Sequence, residues 1–187
     1  MLTELEELHL EGSTAIILSG DHGEELWERN TYGHGESLYQ ESLLTPFSIQ
    51  YAGISEQKPP ANASSLDILP TILDLAGIDG TAIQGKSLLR NDASLAQRPV
   101  FSGISNGARA IRWGRYKFIR DATGAMELYD LSNDSKELNN ILQQVPTIAR
   151  SLRIVMATFV AYEESWSTPR WGEPSAPLEA FASDQGM

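Results

Sequence analysis

The sequence predicts an α/β chain in which part of a mixed sheet is followed by a smaller antiparallel β subdomain packed on a helix. Three observations carry this. A short unbroken apolar run, Thr14-Ala-Ile-Ile-Leu18, lies between an amphipathic segment and a glycine-rich turn, the pattern of a parallel-sheet strand buried on both faces. From Pro99 onward, short alternating runs are separated by turn residues, the texture of an antiparallel meander. Finally, residues 147 to 166 repeat apolar side chains at helical spacing, as expected of a helix that covers such a sheet.

In chain order, Leu2, Leu5 and Leu8 recur at near-helical spacing among Glu4, Glu6, Glu7 and Glu11, so the chain opens on a short helix with Gly12-Ser13 as its stop. After the apolar run come loops containing Gly20-Asp-His-Gly-Glu-Glu25 and Tyr32-Gly-His-Gly-Glu-Ser-Leu-Tyr39. Pro46-Phe-Ser-Ile-Gln-Tyr51 alternates and predicts a second strand, then a turn-rich stretch runs to Pro59-Pro60. Ser64 to Ala76 predicts a helix capped by Asp67, with Pro70 in the first turn, where no intrahelical donor is lost, and Gly77 as the stop. The meander runs are Val100–Ile104, Ala108–Trp113, Arg115–Arg120 and Met126–Asp130, separated by Asn106-Gly107, Gly114 and Thr123-Gly124. In the last helix Ile148, Leu152, Val155, Met156, Phe159 and Tyr162 share one face. The resulting division is an α/β portion over 1–98, a sheet-plus-helix subdomain over 99–166 and a Pro-, Ser- and Ala-rich loose tail over 167–187.

Composition narrows the function classes. Among 187 residues, 25 acidic against 14 basic side chains give a net charge of -11, which opposes wrapping a polyphosphate, so no nucleic-acid partner is expected. The basic and aromatic alternation over Arg109–Arg120 is accordingly read as aromatics facing inward and charges facing solvent. The absence of cysteine excludes disulfides, thiolate metal sites and a cysteine nucleophile in this sequence. No apolar run approaches the roughly 18 residues of a membrane span, and the acidic start lacks the basic-then-apolar order of an export signal. Compartment stays open.

Asp21 and His22 leave the carboxyl end of the predicted buried strand, where open α/β sheets place ligands. A carboxylate beside an imidazole offers an oxygen and a nitrogen to a divalent cation, and flanking glycines let the backbone turn tightly enough for both to converge. His34, between Gly33 and Gly35, is freed from packing and exposed. Glu24, Glu25 and Glu28 are read as a solvated loop face and left outside the site.

The motifs Gly20-Asp-His-Gly-Glu-Glu25, Gly33-His-Gly-Glu-Ser-Leu-Tyr-Gln-Glu-Ser-Leu-Leu-Thr-Pro-Phe47 and Leu66-Asp-Ile-Leu-Pro-Thr-Ile-Leu-Asp-Leu-Ala-Gly-Ile78 occur in this order and spacing. They are joined by Gly85-Lys-Ser-Leu-Leu89, Trp113-Gly-Arg-Tyr-Lys-Phe118, Glu127-Leu-Tyr-Asp-Leu131 and Glu137-Leu-Asn139. The set resembles the C-terminal part of the sulfatase family, in the alkaline phosphatase superfamily. The resemblance implies part of an alkaline-phosphatase-like mixed sheet with a C-terminal antiparallel subdomain, and a hydrolase of sulfate esters acting on small-molecule or glycan substrates. Phosphodiester or phosphonate monoester hydrolysis, or a non-catalytic module for interactions, are the alternatives. It assigns Asp21 and His22 to a divalent metal, and His34 to contact with the ester's anionic group or the departing oxygen. Calcium is the cation the resemblance implies; the imidazole ligand leaves manganese, zinc or iron open.

The sequence departs from the family at its nucleophile. Members carry a paired-Asp metal site and a Cys- or Ser-x-Pro-x-Arg segment whose first residue matures to formylglycine, and neither lies in these residues. Ser167-Thr-Pro-Arg170 has the wrong spacing. The chain is therefore expected to be the C-terminal part of a longer enzyme, inactive by itself and marginally stable or aggregation-prone.

Overall fold

The computed structural model describes residues 2–53, 62–80, 83–90 and 92–167. Helix α1 (Leu2–Glu7) stops before the glycine that sequence suggested. His9 takes the left-handed conformation, φ 55, and Leu10 N–H donates to the Leu5 carbonyl at 2.9 Å, a cap that satisfies the last carbonyls without Gly12.

Strand β1 (Ile16–Ser19) pairs antiparallel with β4 (Phe47–Gln50), Ile17 standing opposite Ile49. The expectation of a parallel strand buried on both faces is corrected: among the described residues its strand partner is β4, which runs antiparallel, none of its residues is fully buried, and Leu18 is 62% exposed. The stretch expected to be loop contains two short strands, β2 (Glu25–Leu26) and β3 (Tyr32–Gly33), paired in a small hairpin, and one helical turn, α2 (Gln40–Leu43).

The next helix is entered through a 3-10 turn, Ser65–Asp67, and runs as α3 (Ile68–Leu75), with Gly77 at φ 68 after it. Ser64, not Asp67, is the cap. Its hydroxyl accepts from Leu66 N–H, while Asp67 returns a hydrogen bond from Ser64 N–H at 2.8 Å. Asp67 does more than cap: fully buried, it also accepts from Lys86 N–H at 2.9 Å and from the Arg98 guanidinium, fastening the 85–98 segment to the helix start. Asp74, on the following turns of the helix, accepts from Ser87 Oγ at 2.6 Å and from both Arg90 Nε and Nη2. Helix α4 (Ser94–Gln97) then leads into the sheet through buried Leu95.

The meander forms as predicted: β5 (Pro99–Gly103), β6 (Arg109–Trp113), β7 (Tyr116–Arg120) and β8 (Met126–Asp130), antiparallel in sequence order. Register sets Ile111 opposite Phe118 and Phe118 opposite Leu128, and this apolar row packs on Ala149, Leu152 and Met156 of α5 (Pro146–Ser167). Phe159 stacks on Phe101 at 3.8 Å between ring centroids. Burying each Phe- or Leu-sized side chain contributes about 1.5–3 kcal/mol, so this layer is the main source of stability. Tyr162, expected on the covered stripe, is half exposed.

The opposite face is not open to solvent. Ala108, Ala110, Ile119 and Tyr129 pack with Leu38, and Tyr39 and Leu43 lie against them. Lys117 shares this face, because it and Ile119 are two residues apart on one strand. The expectation that the basic side chains of this sheet point to solvent therefore fails at Lys117, which is 1% exposed and ion-paired to buried Glu137, Nζ to Oε1 at 2.6 Å. Burial pushes the Lys117 ammonium below the ordinary lysine range, and the Glu137 carboxylate opposes that push.

The turn-rich stretch through Pro59-Pro60 and the tail from 168 onward lie outside the described residues. Among the described residues no helix is long and apolar enough to cross a membrane.

Candidate functional site

The turn after β1 is built by close backbone approach. Gly20 N–H donates to the Pro46 carbonyl at 3.0 Å. Gly23 N–H donates to the Ser42 carbonyl at 2.8 Å, and a Cβ on Gly23 would lie 2.0 Å from the Glu41 carbonyl oxygen. Only glycine fits there. This clasp presents Asp21 and His22 at the rim of the β1–β4 pair.

Asp21 has a side chain 92% exposed, with Oδ1 accepting from His22 N–H at 3.1 Å and Oδ2 3.8 Å from His22 Nε2. Backbone amide hydrogen bonds, its own first, together with the nearby His22 ring, hold its carboxyl below the ordinary range, so it is ionised at neutral pH. His22 Nδ1 faces the Gly23 carbonyl at 2.8 Å. A carbonyl only accepts, so Nδ1 is the donor in this contact, and Nε2, 3.8 Å from Asp21 Oδ2, is the ring nitrogen left for a cation.

His34 reaches the same place from the second loop. Gly33 and Gly35 take φ 108 and φ 83, conformations that side chains rarely adopt, and the tight loop they form lays the His34 ring on that of His22. The centroids are 3.9 Å apart and the planes 27° from parallel. Nδ1 of His34 donates to Glu24 Oε2 at 3.0 Å, which again leaves Nε2 facing outward.

The ligand atoms of His22, Glu24 and His34 lie within 4.8 Å of one another, all exposed. A divalent cation that accepts imidazole nitrogen fits this donor set better than one requiring an all-oxygen shell. The structure thus brings together His22 and His34, keeps Asp21 at the edge of the group, and adds Glu24. Sequence reasoning placed Glu24 on a solvated face, and nothing distinguished it from Glu25 or Glu28. Its distance of two residues from His22 becomes informative only once the second loop folds back.

Glu25 corrects that solvated-face reading outright. It is 3% exposed, and its carboxylate accepts from Ser42 Oγ at 3.1 Å and from the Thr31 and Ser37 hydroxyls. Burial raises its pKa, but the three hydroxyls outweigh burial and the net shift is downward. Thr31 and Ser37 flank His34, so one carboxylate closes the neck of its loop.

Residues 1–78 match the sulfatase family model. Over those residues and beyond, the chain is similar to sulfatases. It is 32% identical over 182 residues to arylsulfatase K of Mus musculus, covering 87% of this chain and 33% of that protein. With the ulvan-active sulfatase of Formosa agariphila it shares 31% over 161 residues, covering 76% and 31%. Among solved structures, BT4656 in complex with its substrate D-glucosamine-2-N,6-O-disulfate aligns over 90% of this chain and 38% of its own, at TM-score 0.72 and 23% identity. A 2-O GAG sulfatase aligns over 81% and 37%, at TM-score 0.68 and 26% identity. The fold is accordingly that of the sulfatases, alkaline-phosphatase-like, with small antiparallel sheets and helices in this part. The chain spans about a third of the length of the relatives it matches.

Proposed function

We propose that this chain contributes the metal-binding loop and an anion-contacting histidine to a sulfatase-type hydrolase that cleaves sulfate esters with one divalent cation. The observation that carries the proposal is the convergence of His22, Glu24 and His34 beside Asp21 at one rim. Asp21 and His22 would hold the cation, which on this reading is calcium by family resemblance, or manganese or zinc by donor chemistry. Such a cation supplies polarisation of the S–O bond and neutralises developing charge.

The chain's own groups do the rest. With Nδ1 engaged by Glu24, a protonated His34 directs its Nε2–H outward, toward an anionic sulfate oxygen or the departing alkoxide oxygen. The carboxylate of Glu24 stabilises that imidazolium and fixes its plane. Stacking on His22 limits rotation of His34 and keeps the proton-donating edge beside the metal ligands. The nucleophile, a formylglycine by family resemblance, is not encoded among these 187 residues, which contain no Cys- or Ser-x-Pro-x-Arg segment. The 187-residue chain alone is therefore proposed to be inactive.

A sugar sulfate is the favoured substrate class. Support comes from relatives named for such substrates, among them the Δ4,5-hexuronate-2-O-sulfatase of Bacteroides thetaiotaomicron, 28% identical over 146 residues. The test is hydrolysis of matched aryl sulfate and aryl phosphate esters, by this chain and by a protein that joins it to a sulfatase nucleophile segment. Turnover of the sulfate only by the joined protein, lost on His34→Ala, is the expected result. Preference for the phosphate, or turnover by the 187-residue chain alone, would contradict it.

A further inference from the structure

The loop that carries His34 is tied down at both ends by one residue far away in sequence. Glu137 follows β8, in a turn organised by Asp134, whose carboxylate accepts from Leu138 N–H at 3.0 Å and Asn139 N–H at 2.8 Å. Its backbone is left-handed, φ 53, an unfavourable conformation for a residue with a side chain, and its carboxylate is fully buried. In that conformation its two acceptors serve different partners. The carbonyl of Glu137 accepts from Arg29 Nη1 at 3.1 Å, and the neighbouring Lys136 carbonyl accepts from Arg29 Nη2 at 2.7 Å. The carboxylate accepts from Gln40 N–H at 2.7 Å, across 97 positions of sequence. Lys117 occupies the other carboxylate oxygen and also donates to Gln40 Oε1 at 3.2 Å.

Arg29 and Gln40 bracket His34. Between them the chain also receives the clasp of Glu25, and the guanidinium of Arg29 lies over the ring of Tyr39 at 3.6 Å. From Gln40 the path to the other histidine is short: Ser42, in the same helical turn, takes the hydrogen bond from Gly23 that sets the direction of His22. We infer that Glu137 is a positioning residue for His34, holding the 29–40 segment at both ends so that the His34 ring stays stacked on His22. Resting on the reading of His34 as a site residue, this adds a role for the sheet-plus-helix part over 99–166, to which Glu137 belongs.

The test uses the full chain and needs no turnover. With only three histidines, the imidazole signals of His22 and His34 are read by NMR against His9, while hydrogen exchange reports amides 31–37 against the β6–β7 amides. In Glu137→Ala the His22 and His34 signals should move toward that of His9, and exchange at 31–37 should speed by about tenfold or more with β6–β7 unchanged. Glu137→Gln, which keeps an acceptor for Gln40 N–H, should restore most of the His34 signal. Should Glu137→Ala fail to fold, Arg29→Gln removes the other anchor from a less buried position and should give the same local pattern. Unmoved His34 signals, or exchange rising equally in β6–β7 and 31–37, would overturn the inference. An enzymatic assay in which His34→Ala leaves activity intact would instead overturn the proposed function and leave this coupling standing.

Discussion

Gly23 and Glu25 bear the same relation to the site from opposite chemical directions, one by having no side chain and one by burying a charged one. A methyl at position 23 collides with the Glu41 carbonyl, so Gly23→Ala forces α2 and the β1 turn apart. Such overpacking costs about 1–3 kcal/mol, measurable as a lower urea midpoint, and should also separate the His22 and His34 rings. Gln at position 25 replaces one acceptor oxygen by a donor amide, which cannot satisfy the three surrounding hydroxyls. Glu25→Gln should therefore lose about 1–3 kcal/mol in the same measurement. That Asp21 and His22 sit in a turn directly after β1 was legible from sequence, because a short glycine-flanked acid-imidazole turn after an apolar run is a local pattern. Glu24 and Glu25 were not: three acidic residues within five positions look alike until one is covered by hydroxyls contributed from positions 31, 37 and 42.

The four strands of the meander were legible almost residue by residue, since alternation and Gly- or Asn-containing turns are local signals. What covers each face was only half legible. The α5 side follows from helical periodicity, and Phe118→Ala there should cost about 3–5 kcal/mol, whereas Trp113→Ala, at a half-exposed site, should stay within roughly 0.5 kcal/mol. The other face is closed by Leu38 and its neighbours, a contact across some eighty positions that no local pattern announces, which is why Lys117 was expected in water. Acid sensitivity belongs to these elements too. Asp130, at the end of β8, accepts a paired hydrogen bond from Arg115 in the turn between β6 and β7, and Asp74 is held by Arg90 first and Ser87 second. Both carboxyls sit below their ordinary value of 3.8 in the folded chain. Their contribution is therefore complete above that value and disappears as pH falls through the lower folded values. The urea midpoint should drop on going from pH 7 to about pH 3, and Asp130→Asn should flatten that dependence.

Across the whole molecule, the apolar material is unevenly covered. The meander and α5 enclose a core, whereas Leu18, Leu26, Trp27, Tyr32 and Leu44 of the preceding part are largely exposed. Exposed apolar side chains beside a ribbon that has two strands among the described residues favour self-association, so the 187-residue chain should sediment as a mixture of species rather than as a monomer. A single monomeric boundary with a sharp reversible melt would contradict that expectation. The central claim is that Asp21 and His22 grip a cation that His34 faces, and manganese titration read by imidazole NMR tests it most directly. The paramagnetic ion should broaden His22 and His34 at the lowest additions while His9 stays sharp, and Asp21→Ala should move that broadening to higher concentration. Equal broadening of all three histidines, or His9 broadening first, would contradict the account.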